Sequence, residues 1–213
     1  MTLPFLFTGP DDAPVTLLLA HGSGAPMDSP AMDAVAAALA AEGLRVARFE
    51  FAYMAARRTE DSRRPPPKGE TLIPEYRAAV SALAARGPLV IGGKSLGGRV
   101  ASMAADDLHR EGRIAGLFCF GYPFHPPEKP RQLRTAHLMT LETPAMICQG
   151  TRDPFGTRED VAGYGLPERI RILWLEDGDH HLKPRKRISG FTAADHLATM
   201  AATVRRWTDE IIK

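Results

Sequence analysis

The sequence predicts an α/β protein, a mostly parallel, doubly wound sheet with helices on both faces. Short apolar runs alternate with longer stretches of helical periodicity, and several runs are apolar at nearly every position. Such alternation suits crossover connections between parallel strands, and near-continuous apolar runs suit strands covered on both sides. The length of 213 residues fits one domain with a good-sized core and leaves no room for a second.

In chain order, residues 5–8 suit an antiparallel edge strand, and residues 15–20, 45–51, 89–91, 114–120, 144–149 and 170–175 suit the others. The helices between them carry their own punctuation. Ser29-Pro30 supplies an N-cap followed by proline at the first helical position, and Gly43 ends that helix. A second helix over 75–86 stops at Gly87-Pro88, and a third over 96–110 ends near Gly112. A weaker helix fits 131–140. Thr192 with Asp195 three residues on resembles a capping box for a final helix, where Leu197, Met200, Val204, Trp207 and Ile211 recur at helical spacing as core. Residues 57–69, with Arg57-Arg58, Arg63-Arg64 and Pro65-Pro66-Pro67, read as a polar, proline-stiffened loop. Such a loop is a solvated excursion or a rim that attracts an acidic substrate group.

Bulk properties narrow the function. A formal net charge of +2 is too small to point to nucleic acid or a membrane surface as partner. Cys119 and Cys148 each sit in an apolar run and read as buried thiols rather than a disulfide. No stretch is long and apolar enough to cross a bilayer, and the start Met1-Thr2-Leu3-Pro4-Phe5 lacks the features of a signal peptide. A cytoplasmic protein is the expectation.

Chemistry enters at Gly92-Gly93-Lys94-Ser95-Leu96-Gly97-Gly98, between an apolar run and an Ala-rich helical stretch. In that strand–turn–helix setting, G-x-S-x-G marks a nucleophile elbow. The chain must reverse sharply to expose Ser95, which strains its backbone and leaves room for only the smallest residues at Gly93 and Gly97. The same letters also suggest a phosphate-binding loop, G-x-x-x-x-G-K-[ST]. That register fails, because the first glycine would fall on Pro88.

A serine nucleophile needs a base, and a histidine base needs a carboxylate to orient it. Both follow in order after successive strands. Asp153 lies in the turn-rich loop 150–156, and His180-His181 ends the loop 176–181. Spacing does not choose between His180 and His181. His109, His137 and His196 fit worse, near a helix end or on helices. No metal-ligand cluster accompanies them, so no metal is expected. For an oxyanion hole, the backbone N–H of Leu96 is one donor, and the Gly22, Ser23 and Gly24 stretch after the strand at 15–20 supplies another. Pocket walls are expected from Tyr53 and Met54 after one strand and from Tyr122, Phe124 and His125 after another.

With these residues in place, the chain resembles a small α/β-hydrolase of the dienelactone-hydrolase-like group. Closer still is a branch of predicted hydrolases related to the hydrolase-like domain of an animal chromatin-complex subunit. The resemblance is carried by His21-Gly22-Ser23-Gly24-Ala25-Pro26-Met27, Gly93-Lys94-Ser95-Leu96-Gly97-Gly98-Arg99, and Gly121-Tyr122-Pro123 with Pro126-Pro127. Gly150-Thr151-Arg152-Asp153 and Asp179-His180 with Leu182-Lys183-Pro184 complete it. It implies one α/β-hydrolase domain over residues 1–213 without a large lid, and a triad of Ser95, Asp153 and His180. His181 is then the accompanying variable position. Dienelactone hydrolases proper use a cysteine nucleophile, so their substrate does not carry over.

The function expected is a serine hydrolase acting on a small-molecule ester, with no cofactor and with neither nucleic acid nor membrane as partner. The rival readings are a non-catalytic binding module on the same fold and, more remotely, a nucleotide-binding enzyme.

Overall fold

The computed structural model describes residues 3–59 and 65–212. Among them, seven strands form one sheet: β1 (Leu6–Thr8), β2 (Thr16–Ala20), β3 (Arg45–Phe49), β4 (Leu89–Lys94), β5 (Gly116–Phe120), β6 (Ala145–Gly150) and β7 (Ile170–Leu175). Their order is β1-β3-β2-β4-β5-β6-β7, with β1 antiparallel to β3 and every other pair parallel. The helices are α1 (Pro30–Ala41), α2 (Ala52–Thr59), α3 (Ile73–Leu83), α4 (Leu96–Arg110), α5 (Arg158–Ala162), α6 (Lys186–Ser189) and α7 (Ala193–Ile211).

Side chains alternate across the strands, and both faces are buried. On one face Leu18, Ala20, Leu117 and Cys119 meet Tyr76, Ala79 and Val80 of α3 and Val100, Ala101 and Ala104 of α4. On the other, Leu17, Leu19, Phe118 and Phe120 meet Met32, Val35 and Leu39 of α1 and Met200, Val204 and Trp207 of α7. Two buried faces explain why the strands are apolar at nearly every position rather than at alternate ones. Cys119 and Cys148 are free, buried thiols.

Several local expectations need correction. The helix expected over 131–140 is only a 3-10 turn at Ala136–Leu138, because Arg134 N–H donates to the Phe124 carbonyl at 2.7 Å and the preceding chain folds back on itself. Arg57 and Arg58 belong to α2 rather than to a loop, and Arg63-Arg64 lies outside the described residues. The first N–H of α2, at Ala52, is capped at 2.8 Å by Glu75, 23 residues away. α3 stops at a left-handed Ala84, before Gly87-Pro88.

The site is positioned by a switch in winding direction. Chain order runs one way from β2 to β3 and the other way from β2 to β4, so the loops leaving β2 and β4 diverge over a crevice. Crevices at the carboxyl ends of such strands are where open α/β sheets bind ligands. Register keeps the ends level: Ala20 pairs with Gly93, Lys94 with Phe120, Phe120 with Cys148 and Gly150 with Leu175.

Candidate active site

Ser95 joins β4 to α4 with φ 50° and ψ −114°, a region that L-residues avoid. The turn is tight because α4 starts against the end of β2. A Cβ on Gly97 would lie 2.5 Å from the Ala20 carbonyl oxygen, and one on Gly93 would strike the same oxygen. Ser95 itself remains partly exposed.

The structure brings Ser95, His180 and Asp153 together. Ser95 Oγ lies 3.0 Å from His180 Nε2, and His180 Nδ1 lies 2.8 Å from Asp153 Oδ2. A carboxylate only accepts, so Nδ1 carries the proton and Nε2 is left to accept from the serine hydroxyl. Asp153 is fully buried and receives two further donors, Gln149 Nε2 at 2.9 Å and the Phe155 N–H at 2.9 Å. The Phe155 ring covers the imidazole at a centroid distance of 4.2 Å. His181 is exposed, and its ring stands edge-on to His180 at 5.9 Å.

Three supporting residues have a role that the sequence did not assign. Gln149 is fully buried, donates to Asp153 and accepts the Tyr122 N–H at 2.7 Å. A polar side chain at the end of an apolar strand run is the signal that points to it. Lys94 is 9% exposed, and its Nζ donates to the His180 carbonyl at 2.6 Å. Burial pulls its ammonium down to about 8, opposed by the negative charges of Asp153 and Asp179. His21 is fully buried, its Nδ1–H donating to the Gly22 carbonyl at 2.6 Å and its Nε2 accepting the Phe51 N–H at 3.2 Å. Burial favours this neutral form. With the Gly22 carbonyl held toward His21, the Ser23 N–H of the same trans peptide points the opposite way.

Gly22 comes close to the serine: a Cβ there would lie 3.8 Å from Ser95 Cβ. Gly22, Ser23, Gly24, Ser95, Leu96 and His180 all line an open cleft of about 1020 Å³. Leu96 opens α4, so its N–H has no acceptor within the helix. Arg57 Nη1 donates to the Ser23 carbonyl at 3.3 Å, and Arg58 pairs with Glu50 and Asp28, strapping α2 to the loop after β2.

The expected pocket walls are a correction. Tyr53, Met54, Tyr122, Phe124 and His125 are not among the residues lining the cleft. Tyr122 and Phe124 turn inward and are fully buried, their rings 4.9 Å apart and tilted by 56°. Tyr53 packs beside His21 and Phe51, Met54 is buried, and His125 is buried 3.7 Å from Asp160. The walls come instead from residues 66–70, Arg99, Met103, Pro123, residues 132–134 and Phe155.

A second serine–histidine contact sits under the cleft. His137 Nε2 lies 2.8 Å from Ser102 Oγ and 3.2 Å from Tyr122 Oη. Ser102 is 2% exposed within α4 and donates to the Arg99 carbonyl, so its hydroxyl meets no substrate. Burial, with Arg99 nearby, brings His137 down to about 4. This pair fastens the Ala136–Leu138 turn to α4. Among the described residues, no three His, Cys, Asp or Glu side chains gather to hold a metal ion, and no helix is long and apolar enough to cross a membrane.

A family model described as "Alpha/beta hydrolase domain" matches residues 13–209. The chain belongs to that family. This α/β-hydrolase also has solved neighbours with the same fold. A Xanthomonas campestris protein, XC6422, described as an α/β serine hydrolase without lid, superposes with a TM-score of 0.70 at 22% identity, over 95% of this chain and 88% of its own. Dienelactone hydrolase from Anabaena variabilis gives 0.71 at 19%, over 98% and 92%. A thermophilic esterase from Thermogutta terrifontis gives 0.69 at 17%, over 99% and 94%. These likenesses show a small α/β-hydrolase fold of the dienelactone-hydrolase-like type without an added lid domain.

Proposed function

We propose that this α/β-hydrolase is a serine hydrolase that cleaves a small-molecule ester through an acyl-enzyme on Ser95. The observation that carries the reading is the unbroken chain Ser95 Oγ, His180 Nε2, His180 Nδ1, Asp153 Oδ2, with links of 3.0 and 2.8 Å, whose serine and histidine line the cleft. Ser95 Oγ attacks the ester carbonyl carbon while His180 Nε2 takes the hydroxyl proton. Asp153 stabilises the resulting imidazolium and holds its tautomer. The negative charge on the former carbonyl oxygen rests on the N–H groups of Leu96 and Ser23, with Gly22 and Gly24 giving the loop its close approach. Collapse of the tetrahedral intermediate breaks the C–O bond, and His180 returns its proton to the departing alcohol. Water then enters, gives a proton to His180 and attacks the acyl carbon. The same sequence in reverse frees the acid and restores Ser95.

Two features support catalysis over a purely binding role. A ligand-binding module has no use for a serine held at φ 50° against an imidazole acceptor. Nor does it need a fully buried carboxylate on the far side of that imidazole.

The test is pre-steady-state kinetics with p-nitrophenyl butyrate. A burst of p-nitrophenolate equal to the enzyme concentration, absent in Ser95→Ala, supports the acyl-enzyme. Turnover that survives in Ser95→Ala overturns it.

A further inference from the structure

The cleft is asymmetric in charge. Among the described residues that line it, Lys68, Lys94, Arg99 and Arg134 are cationic and Glu70 is the only carboxylate. The surplus in this one cleft exceeds the formal net charge of +2 for the entire chain. Lys94 is occupied by the His180 carbonyl, and Glu70 is paired with Arg99 at 2.5 Å. Arg134 and Lys68 make no direct contact of that kind: among the described residues neither side chain has a hydrogen bond or an ion pair, and Glu70 is a counter-charge that both share at longer range.

Arg134 is the more telling of the two. It is partly buried, and its backbone is fixed through the N–H bond to Phe124. The next turn is tied down by the His137–Ser102 contact. The backbone that carries it is therefore fixed at the cleft wall. Burial and the nearby Arg99 both work against that charge. Arg99 has a buried Nε with no partner, and its backbone N–H donates to the Ser95 carbonyl at 2.9 Å, one helical turn or about 6 Å along α4 from the serine. Arg134 brings a guanidinium with no bonded partner of its own to a wall that already holds Arg99, and a planar fork of this kind suits carboxylate and phosphate oxygens.

We propose that this wall of the cleft is an anion-binding subsite, formed by Arg134 and Arg99 with Lys68, that selects ester substrates carrying a carboxylate or phosphate group. The selection rests on Ser95 being the nucleophile; the binding of the anion does not. The single helical turn between Ser95 and Arg99 suits a substrate with a short chain between the scissile carbonyl and the charged group. Lys68 at the rim adds long-range attraction.

The test compares kcat/KM for mono-p-nitrophenyl glutarate and for its methyl ester, which has the same chain with the carboxylate masked. The wild-type protein is expected to favour the charged ester by about tenfold or more, a preference that shrinks with added salt. Arg134→Met is expected to remove most of that preference. Arg134→Lys keeps the charge without the fork and is expected to retain part of it. Arg110→Met, at the far end of α4, is expected to leave the ratio where it was. Competition by glutarate against inorganic phosphate tells which oxyanion the subsite prefers. A wild-type preference for the masked ester, or an Arg134→Met ratio equal to wild type in a variant of unchanged melting temperature, overturns the proposal. If neither ester is hydrolysed, the catalytic reading fails and calorimetry at low salt decides the subsite alone. Saturable glutarate or phosphate binding that Arg134→Met loses then supports it, and no binding to wild type overturns it.

Discussion

Lys94 Nζ donates to the carbonyl oxygen of His180 across 86 residues of sequence, at 2.6 Å. The residue immediately before the serine thus holds the loop that carries the histidine. The two side chains that must meet are tied through their backbones as well as through their own hydrogen bond. Gly121 makes the space, since a Cβ there would lie 2.6 Å from that carbonyl and 3.0 Å from Nζ.

This tie has a pH signature. The Lys94 ammonium titrates near 8 in the folded chain against 10.5 for an ordinary lysine. Between those values the unfolded chain binds more protons, so stability rises with pH across that window. The buried charge costs about 3 kcal/mol below pH 8, and the cost disappears as pH passes the unfolded value. Lys94→Met removes the slope and lets the His180 loop drift, lowering kcat by about ten- to a hundredfold. Urea denaturation of both proteins at pH 7 and 10 checks the first point. A stability difference that does not change with pH contradicts it.

Ser95 stores strain that a glycine relieves. Ser95→Gly is expected to raise stability by about 1 kcal/mol, since φ 50° suits glycine, while turnover falls by a factor of about 10³ or more. Calorimetric melting alongside ester hydrolysis measures both. A less stable glycine variant contradicts the account of the turn.

Gln149 links the loop after β5 to Asp153. Gln149→Leu strands the buried Tyr122 N–H and removes a donor from the carboxylate, for an expected loss of about 1–3 kcal/mol together with a reduced rate. Gln149→Glu puts a second carboxylate beside Asp153. Its pKa is raised in the fold, so that variant is expected to be most stable in acid and to weaken as pH rises through the carboxylate range. A variant as stable at pH 8 as at pH 5 contradicts the assignment.

His180 and His181 divide the work unequally. His180→Ala is expected to abolish hydrolysis, and His181→Ala, with its exposed ring, to leave most of it. Equal activities in the two variants contradict the geometry.

Much of this was legible in the sequence because it rests on local rules. The strand–turn–helix at Ser95 needs glycine at positions 93 and 97 for reasons of space alone, and two-sided burial writes itself as unbroken apolar runs such as Leu17 to Ala20. Order along the chain pointed to Asp153, and the family resemblance preferred His180 to His181. What did not show depends on contacts between distant segments. The Ala52–Thr59 helix is capped by Glu75, and Tyr122 and Phe124 turn inward because Ser102, His137 and Tyr164 receive them. The Arg158–Ala162 helix has the same capping-box signal, Thr157 with Asp160, that marked the last helix, but five residues are too few for periodicity to reinforce it.

The central claim is that Ser95 is a nucleophile activated by His180, and fluorophosphonate labelling tests it most directly. The adduct would be located by mass spectrometry in the wild-type protein, Ser95→Ala and His180→Ala. The account predicts a single adduct on Ser95, absent from Ser95→Ala and strongly slowed in His180→Ala. A folded wild-type protein that takes no label, or one labelled elsewhere, contradicts it.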